Sequence, residues 1–166
     1  GITPTYHCEV DPRAHKTKLI GPPCKETEYL ISSTCHQAVF DHLEGFTVKV
    51  WHVFDSAEDA LRTLPHGEWA LTGGCSVGLR AITIARFLGY VNMHIFGMDG
   101  NEGASGKHAA EHPMQPKKHN TTTYCDVYGC PDHGTVYKTT PAMLAPSKGL
   151  WHELNQMPDV KPTFYG

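Results

Sequence analysis

An α/β fold built on a mostly parallel, Rossmann-like sheet is what this sequence predicts, and three observations predict it. Strand-like and helix-like segments alternate along the chain. A short apolar strand at residues 69–71 runs through a glycine turn into a segment with clear helical period. The runs FTVKVWHVF (46–54) and VNMHIFGM (91–98) have strand length and β-rich composition. Alternation of this kind lays strands parallel and places helices on the sheet faces.

Taken in order, residues 5–10 (TYHCEV) form a short strand closed by Asp11-Pro12, and Pro22-Pro23 breaks the chain. Residues 28–32 (EYLIS) are a buried strand. Residues 36–43 are a short helix with Ala38, Val39 and Leu43 apolar, ended by Gly45. In the 46–54 strand, alternation assigns Phe46, Val48, Val50 and Val53 or Phe54 to the buried side. Ser56 is placed to cap a short helix over 57–64, closed by Pro65 and Gly67. After the turn Thr72-Gly73-Gly74-Cys75-Ser76, the apolar positions Val77, Ala81, Ile84, Ala85 and Leu88 follow a helical face. Ser76 is its expected cap and Gly89 its end. The 91–98 strand stops at Asp99-Gly100. Residues 100–120 read as a long loop rich in Gly, His, Pro and Lys, of the kind that often carries function. Residues 121–128 and 135–139 make a hairpin with its tip at 129–134. Pro141 opens a last helix through Met143, Leu144, Leu150, Trp151 and Leu154, and Pro158 and Pro162 predict an irregular end. With no internal repeat and no low-complexity linker, residues 1–166 are expected to be a single domain.

The bulk properties narrow the function. The 166 residues, 40% apolar and 19% charged, can bury a real core. A net charge of -3 and scattered lysines and arginines give no basic field for nucleic acid. The longest apolar-rich stretch, residues 77–98, is broken by Arg80, Arg86, Asn92 and His94. No run approaches the ~20 residues of a membrane-spanning helix. No leader-like segment opens the chain, so a cytoplasmic location is expected. Cys8, Cys24, Cys35, Cys75, Cys125 and Cys130 are expected to be mostly free thiols in a reducing compartment. Twelve histidines raise the odds that some act as ligands or acid–base groups.

Ligands of open α/β sheets bind beyond the carboxyl ends of the strands, which here gathers Asp11, Ser32 to His36, residues 72–76 and Asp99. The glycine turn is the leading candidate for a phosphate. Gly73 and Gly74 let backbone N–H groups approach an anion, Cys75 and Ser76 continue the turn, and the helix that follows adds unpaired donors and partial positive charge. Arg80, in its first turn, can add a charge-assisted contact, and Ser32 a hydroxyl. Gly73 and Gly78 have the four-residue separation of a Walker A loop, but Leu79 stands where the lysine belongs, and Gly-x-Gly-x-x-Gly is not met. A tight strand-to-helix turn without ligand accounts for the same residues. Asp99, and with it Asp11, can hold Mg²⁺ or a ribose hydroxyl. Arg13 and Lys16 suit phosphates, and an Asp-Pro or Asp-Gly turn is the plainer account. His108, ahead of Glu111, His112 and His119 in the long loop, is the candidate acid or base. Cys125, Cys130 and His133 have the spacing C-x4-C-x2-H. That invites zinc but offers no obvious fourth ligand, so a hairpin tip competes.

The run Leu71-Thr-Gly-Gly-Cys-Ser-Val-Gly-Leu-Arg-Ala-Ile, then Leu88-Gly-Tyr, then His94-Ile-Phe-Gly-Met-Asp99, resembles the MptE-like family. Its members include archaeal 6-hydroxymethyl-dihydropterin pyrophosphokinases and domains related to the motility-associated (Maf) glycosyltransferases and to sialyltransferase folds. The opening Gly-Ile-x-Pro-x-Tyr, Asp11 after its strand, Tyr29-Leu-Ile-Ser-Ser-x-Cys-His and a loop histidine followed by Gln115 fit as well. The match reaches to about Thr140. The resemblance implies a Rossmann-like domain using a nucleotide-type donor with Mg²⁺, and a transferase moving a pyrophosphoryl or glycosyl group to a small acceptor. A homo-oligomer is among the expected partners. Gly73, Gly74, Ser76, Asp99, Asp11 and His108 are the positions that carry over. The family's earlier strand, with a Gly-Pro-Ser-like turn, has no counterpart before the first strand here, so that unit is expected to be missing. Two other functions compete: a nucleotide-binding module without turnover, and a zinc-stabilised interaction domain centred on Cys125 and Cys130.

Overall fold

The structure, a computed structural model, describes residues 2–53, 64, 68, 70–98, 124–128, 134 and 136–165. The chain forms two compact units, one of Gly1–Gly73 with Arg80–Ile84, the other of Gly74–Leu79 with Ala85–Gly166.

The first unit is a parallel sheet flanked by helices. Strands β1 (Tyr6–Glu9), β2 (Glu28–Ser32), β3 (Val48–Val53) and β4 (Ala70–Leu71) lie in the order β1-β2-β3-β4, all parallel. Strand β2 is buried almost throughout, as a central strand covered on both faces must be. Tyr29 and Ile31 point to one face, where Cys35, Val39 and Leu43 pack on them with Ile20, Phe40, Phe46 and Val48. Helices α1 (Lys16–Ile20) and α2 (Gln37–His42) supply most of that layer. Leu30, Trp51 and Ile84 form the core of the opposite face, with Tyr6, Cys8, Val10, Val53 and Leu71 around them. Ile84 comes from helix α3 (Val77–Phe87), so the helix after β4 covers the side that α1 and α2 leave open. This is the layering of a doubly wound sheet.

Polar side chains lock the layers. Thr27 is buried because its hydroxyl donates to the Pro4 carbonyl at 2.7 Å, beside the Glu28 N–H bond to Thr5 O at 2.9 Å. The Tyr29 hydroxyl accepts from the Cys24 N–H at 2.7 Å, and the Trp51 indole donates to the Leu30 carbonyl at 3.0 Å. His36 caps α2, its Nδ1 accepting from the Ala38 N–H.

In the second unit, β5 (Asn92–Phe96) pairs in parallel with β8 (Lys161–Tyr165), and β6 (Cys125–Tyr128) pairs antiparallel with β7 (Val136–Thr139). Thr140 caps α4 (Pro141–Asn155), its hydroxyl accepting from the Met143 N–H, and Pro141 opens the helix where no N–H is needed. Arg86 grips Asp159 with Nε at 2.9 Å and 3.0 Å from its two oxygens. Met157 and Val160 are buried just ahead of β8.

Two expectations fail. Val50 is 54% exposed, while Trp51 is the buried residue of β3. The alternation is real, but Val50 lies on the face where α1 and α2 cover only the entry end, and the bulkier Trp51 fills the face under α3. The irregular end predicted from Pro158 and Pro162 is instead strand β8. The Lys161 N–H donates to Val91 O at 2.7 Å. Donors alternate along a strand, so Pro162, one residue on, turns its missing N–H away from β5 and costs no ladder bond. Helix α1 has no counterpart in the expected elements. The helix expected at 57–64 and the loop at 100–120 fall on residues outside the described ones, Leu64 apart.

The five described cysteines, Cys8, Cys24, Cys35, Cys75 and Cys125, are free thiols. Burial, with Glu9 close by, pushes the Cys8 thiol up to about 12 and the Cys35 thiol up to about 11. Thiolate is the reactive form. Native protein treated with a thiol-specific reagent at pH 8 should therefore modify exposed Cys75 readily, and Cys8 and Cys35 only on unfolding. Peptide mapping of the labelled chain reads the order.

Candidate functional site

The glycine turn is built by close packing. Gly73 and Gly74 have φ of 144° and 71°, values that L side chains rarely adopt. A Cβ on Gly73 would stand 2.9 Å from the Cα of Arg80 and 3.0 Å from Oγ1 of Thr83, and a Cβ on Gly74 would stand 2.7 Å from Cδ1 of Leu79. Leu79 is fully buried, so it has little freedom to yield. Helix α3 thus folds back onto its own entry turn. Ser76 caps it as expected, its Oγ accepting from the Leu79 N–H at 3.3 Å. The first-turn amides of a helix lack intrahelical acceptors, and Cys75 is exposed beside them. Arg80 is buried beneath the turn, with one guanidinium nitrogen 3.4 Å from the Leu71 carbonyl oxygen. It places a positive charge behind the strand end.

The carboxyl ends of the parallel strands gather the other polar residues of the first unit. After β1, buried Glu9 uses Oε1 to accept from the Val10 and Asp11 N–H groups at 2.8 Å and 2.9 Å. Asp11 is bound through both oxygens by Arg13, whose Nε lies 2.8 Å and 3.0 Å away, and Lys16 Nζ stands 3.1 Å from Oδ2. The Arg13 guanidinium, with Lys16, holds the Asp11 carboxyl well below the usual carboxylate range. After β2, Ser32 is fully buried and its hydroxyl bonds with Oγ1 of Thr34 at 2.9 Å, while Thr34 Oγ1 donates to Val10 O at 3.1 Å. Ser33 and Thr34 are the exposed hydroxyl residues of that segment.

A third group was not foreseen. His52, near the end of β3, has Nδ1 2.9 Å from the Ser33 hydroxyl and Nε2 in a hydrogen bond with Glu68. A carboxylate fixing an imidazole that faces a hydroxyl can move a proton. It is not arranged for acyl transfer, because the nearby amides are spent: Ser33 N–H donates to Trp51 O, Thr34 N–H to Ser32 Oγ, and Cys35 N–H to Ser32 O. The rule that picked out Asp11, attention to residues at strand ends, would have found His52 if applied to the 46–54 run.

Of the expected site residues, Gly73, Gly74, Cys75 and Ser76 share one turn, and Arg80 lies in the helix that follows it. Asp11 and Ser32 lie at the carboxyl ends of β1 and β2. Asp99 and His108 lie outside the described residues, as do Cys130 and His133. Cys125 sits in β6, its thiol 3.6 Å from the Thr139 carbonyl across the hairpin. Among the described residues no group of three His, Cys, Asp or Glu is arranged to hold a metal ion. Asp11, expected as a Mg²⁺ ligand, has both oxygens bound by cations of its own chain. No helix among the described residues is long and apolar enough to cross a membrane.

Gly73→Ala should destabilise the protein by about 2–3 kcal/mol, since it adds backbone contact to an unfavourable φ. Gly45→Ala, at φ 79° with open space around it, should cost about 1 kcal/mol. Urea unfolding of the two variants separates packing from conformation. For Asp11 the folded-state pKa is depressed. Its contribution is therefore full above the unfolded value of about 4 and lost as pH falls below it. The Arg13 side of the pair is open to solvent, so Asp11→Asn should lower stability at pH 7 by no more than about 1 kcal/mol, and by less at pH 2. Unfolding midpoints at the two pH values check this.

No family model and no curated protein matches the sequence. One solved structure is similar to the whole chain: the MAf glycosyltransferase from Magnetospirillum magneticum AMB-1, at a TM-score of 0.66 and 19% identity. The match covers 100% of this chain and 25% of that one, so this chain spans about a quarter of the length of the protein it matches. The likeness agrees with the Rossmann-like α/β fold and, at the level of fold, with the Maf side of the resemblance drawn from residues 71–99.

Proposed function

We propose that this chain is the nucleotide-binding part of a transferase whose donor is a sugar nucleotide. The observation that carries the reading is the turn at Gly73 and Gly74, closed against α3 with the first-turn amides ahead of it and Arg80 behind. The likeness of the whole chain to a quarter of a glycosyltransferase supports the choice of donor.

In such a transfer the bond between the anomeric carbon and a phosphate oxygen breaks, and negative charge collects on the departing nucleotide phosphate. Amides and a partial positive charge fixed in advance at the turn stabilise that charge without reorganising. The acceptor hydroxyl must lose a proton as the new C–O bond forms. Among the described residues, the Ser33–His52–Glu68 chain is suited to take it: exposed Ser33 Oγ receives the acceptor proton as its own passes to His52 Nδ1, while Glu68 holds Nε2. Pyrophosphoryl transfer from a nucleoside triphosphate would use the same turn for its phosphates, so the donor must be measured. Mg²⁺ belongs to the proposal through the resemblance, with Asp99 its remaining ligand.

The test is calorimetric titration of the chain with CMP-, UDP- and GDP-sugars and with ATP, each with and without Mg²⁺, followed by product analysis with a hydroxylated acceptor. Binding of one sugar nucleotide, with competition by excess inorganic pyrophosphate, is the expected result. AMP release from ATP would move the reading to pyrophosphoryl transfer. Absence of binding by every donor under both conditions would overturn it.

A further inference from the structure

The β5–β8 pair carries a feature that the phosphate turn does not use. On one face of this small parallel sheet three rings are in contact. Tyr165 of β8 stacks on two rings of β5: Phe96, at 4.4 Å between centroids and 10° between planes, and His94, at 5.7 Å and 29°. The Tyr165 hydroxyl and His94 Nδ1 are 2.8 Å apart, so the stack is fixed at its inner end. At the other end Phe96 is 70% exposed although one of its faces is covered by Tyr165. Core logic does not explain this. The opposite face of β5 buries Met93, and a large apolar ring held open to water, in register with two others, forfeits the burial it could gain.

Position gives the stack a use. Phe96 and Tyr165 are the last residues of two parallel strands and pair in register, so the rings stand at the carboxyl edge, where ligands of α/β sheets bind. Two residues beyond Phe96, the side chain of Met98 packs against the first turn of α3. A Cβ on Gly78 would lie 3.4 Å from its sulfur. The end of β5 therefore abuts the helix start that follows Gly74–Ser76. The span from Phe96 to Met98 is at most about 7 Å, comparable with the separation of base and phosphates in a nucleotide. The occupant is also bounded by size. Phe and Tyr side chains offer about 150–250 Å² each and His94 adds a smaller ring, together short of the ~800 Å² per partner that a stable protein interface buries. A small flat ring fits that area, and a protein surface does not.

We infer that the Phe96–Tyr165–His94 stack is the platform for the base of the nucleotide whose phosphates occupy the turn after Gly73. The inference rests on the phosphate-turn reading and adds the base subsite to it. An aromatic platform reads any base through its π-face, so it supplies affinity more than selectivity among bases.

The test titrates the intact chain and the variants Phe96→Ala and Phe96→Trp with CMP, UDP, GDP and inorganic pyrophosphate. Stacking of one base corresponds to about a tenfold gain in affinity. Phe96→Ala should therefore weaken the tightest nucleotide about tenfold and leave pyrophosphate unchanged, and Phe96→Trp should hold or improve nucleotide affinity. Phe96 is exposed, so both variants should keep the parent melting temperature. Nucleotide affinity unchanged in Phe96→Ala overturns the platform and leaves the phosphate turn standing. Pyrophosphate bound by the parent chain as tightly as every nucleotide does the same. A parent chain that binds neither pyrophosphate nor nucleotide overturns both.

Discussion

Everything described at the carboxyl edge depends on how the chain leaves β4. It must stop at Leu71, turn within a few residues and lay a helix whose Arg80–Ile84 segment packs onto the sheet. Two consecutive glycines make that possible, because Arg80 and Leu79 occupy the space that Cβ atoms at 73 and 74 would need. The same constraint sets the chemistry. A helix brought this close presents its first amides at the mouth of the turn and its first buried cation directly behind. Packing accounts for the glycines without a ligand, and an anion site follows from the packing as its consequence.

Parallel pairing does the rest of the gathering in the first unit. Because β1 to β4 run the same way, the residues that leave each strand are delivered to one edge. The polar side chains there are largely committed to one another: Asp11 to Arg13 and Lys16, Ser32 to Thr34, Glu9 to two backbone amides. These bonds make the edge rigid. They also leave the Ser33–His52–Glu68 chain as the group of the first unit with chemistry to offer.

The sequence showed the elements well where period and punctuation agreed. The limits of β2, the cap at Ser76, the stop at Gly89 and Pro141 at a helix start are all local signals, and local physics set them. What stayed hidden was set by tertiary contact. The choice of Trp51 over Val50 for the core depends on which helix covers which face, and strand alternation alone is indifferent to that. Pro162 read as a breaker because its harmlessness depends on which side of the strand is paired. The candidate turn was readable because one continuous segment builds it. The Ser33–His52–Glu68 chain and the Phe96–Tyr165–His94 stack join residues 16 to 71 positions apart, and no short-range pattern announces such meetings.

Pro162 has an effect on assembly as well as on pairing. An exposed strand edge is a row of donors and acceptors that another chain can extend. Among the described residues β8 pairs on one side only, and its outer side lacks a donor at Pro162, so a strand added there would lose a bond at the second residue of a five-residue ladder. The residue that allows β8 to join β5 also discourages the sheet from growing beyond it, and guards it against edge-to-edge aggregation between copies.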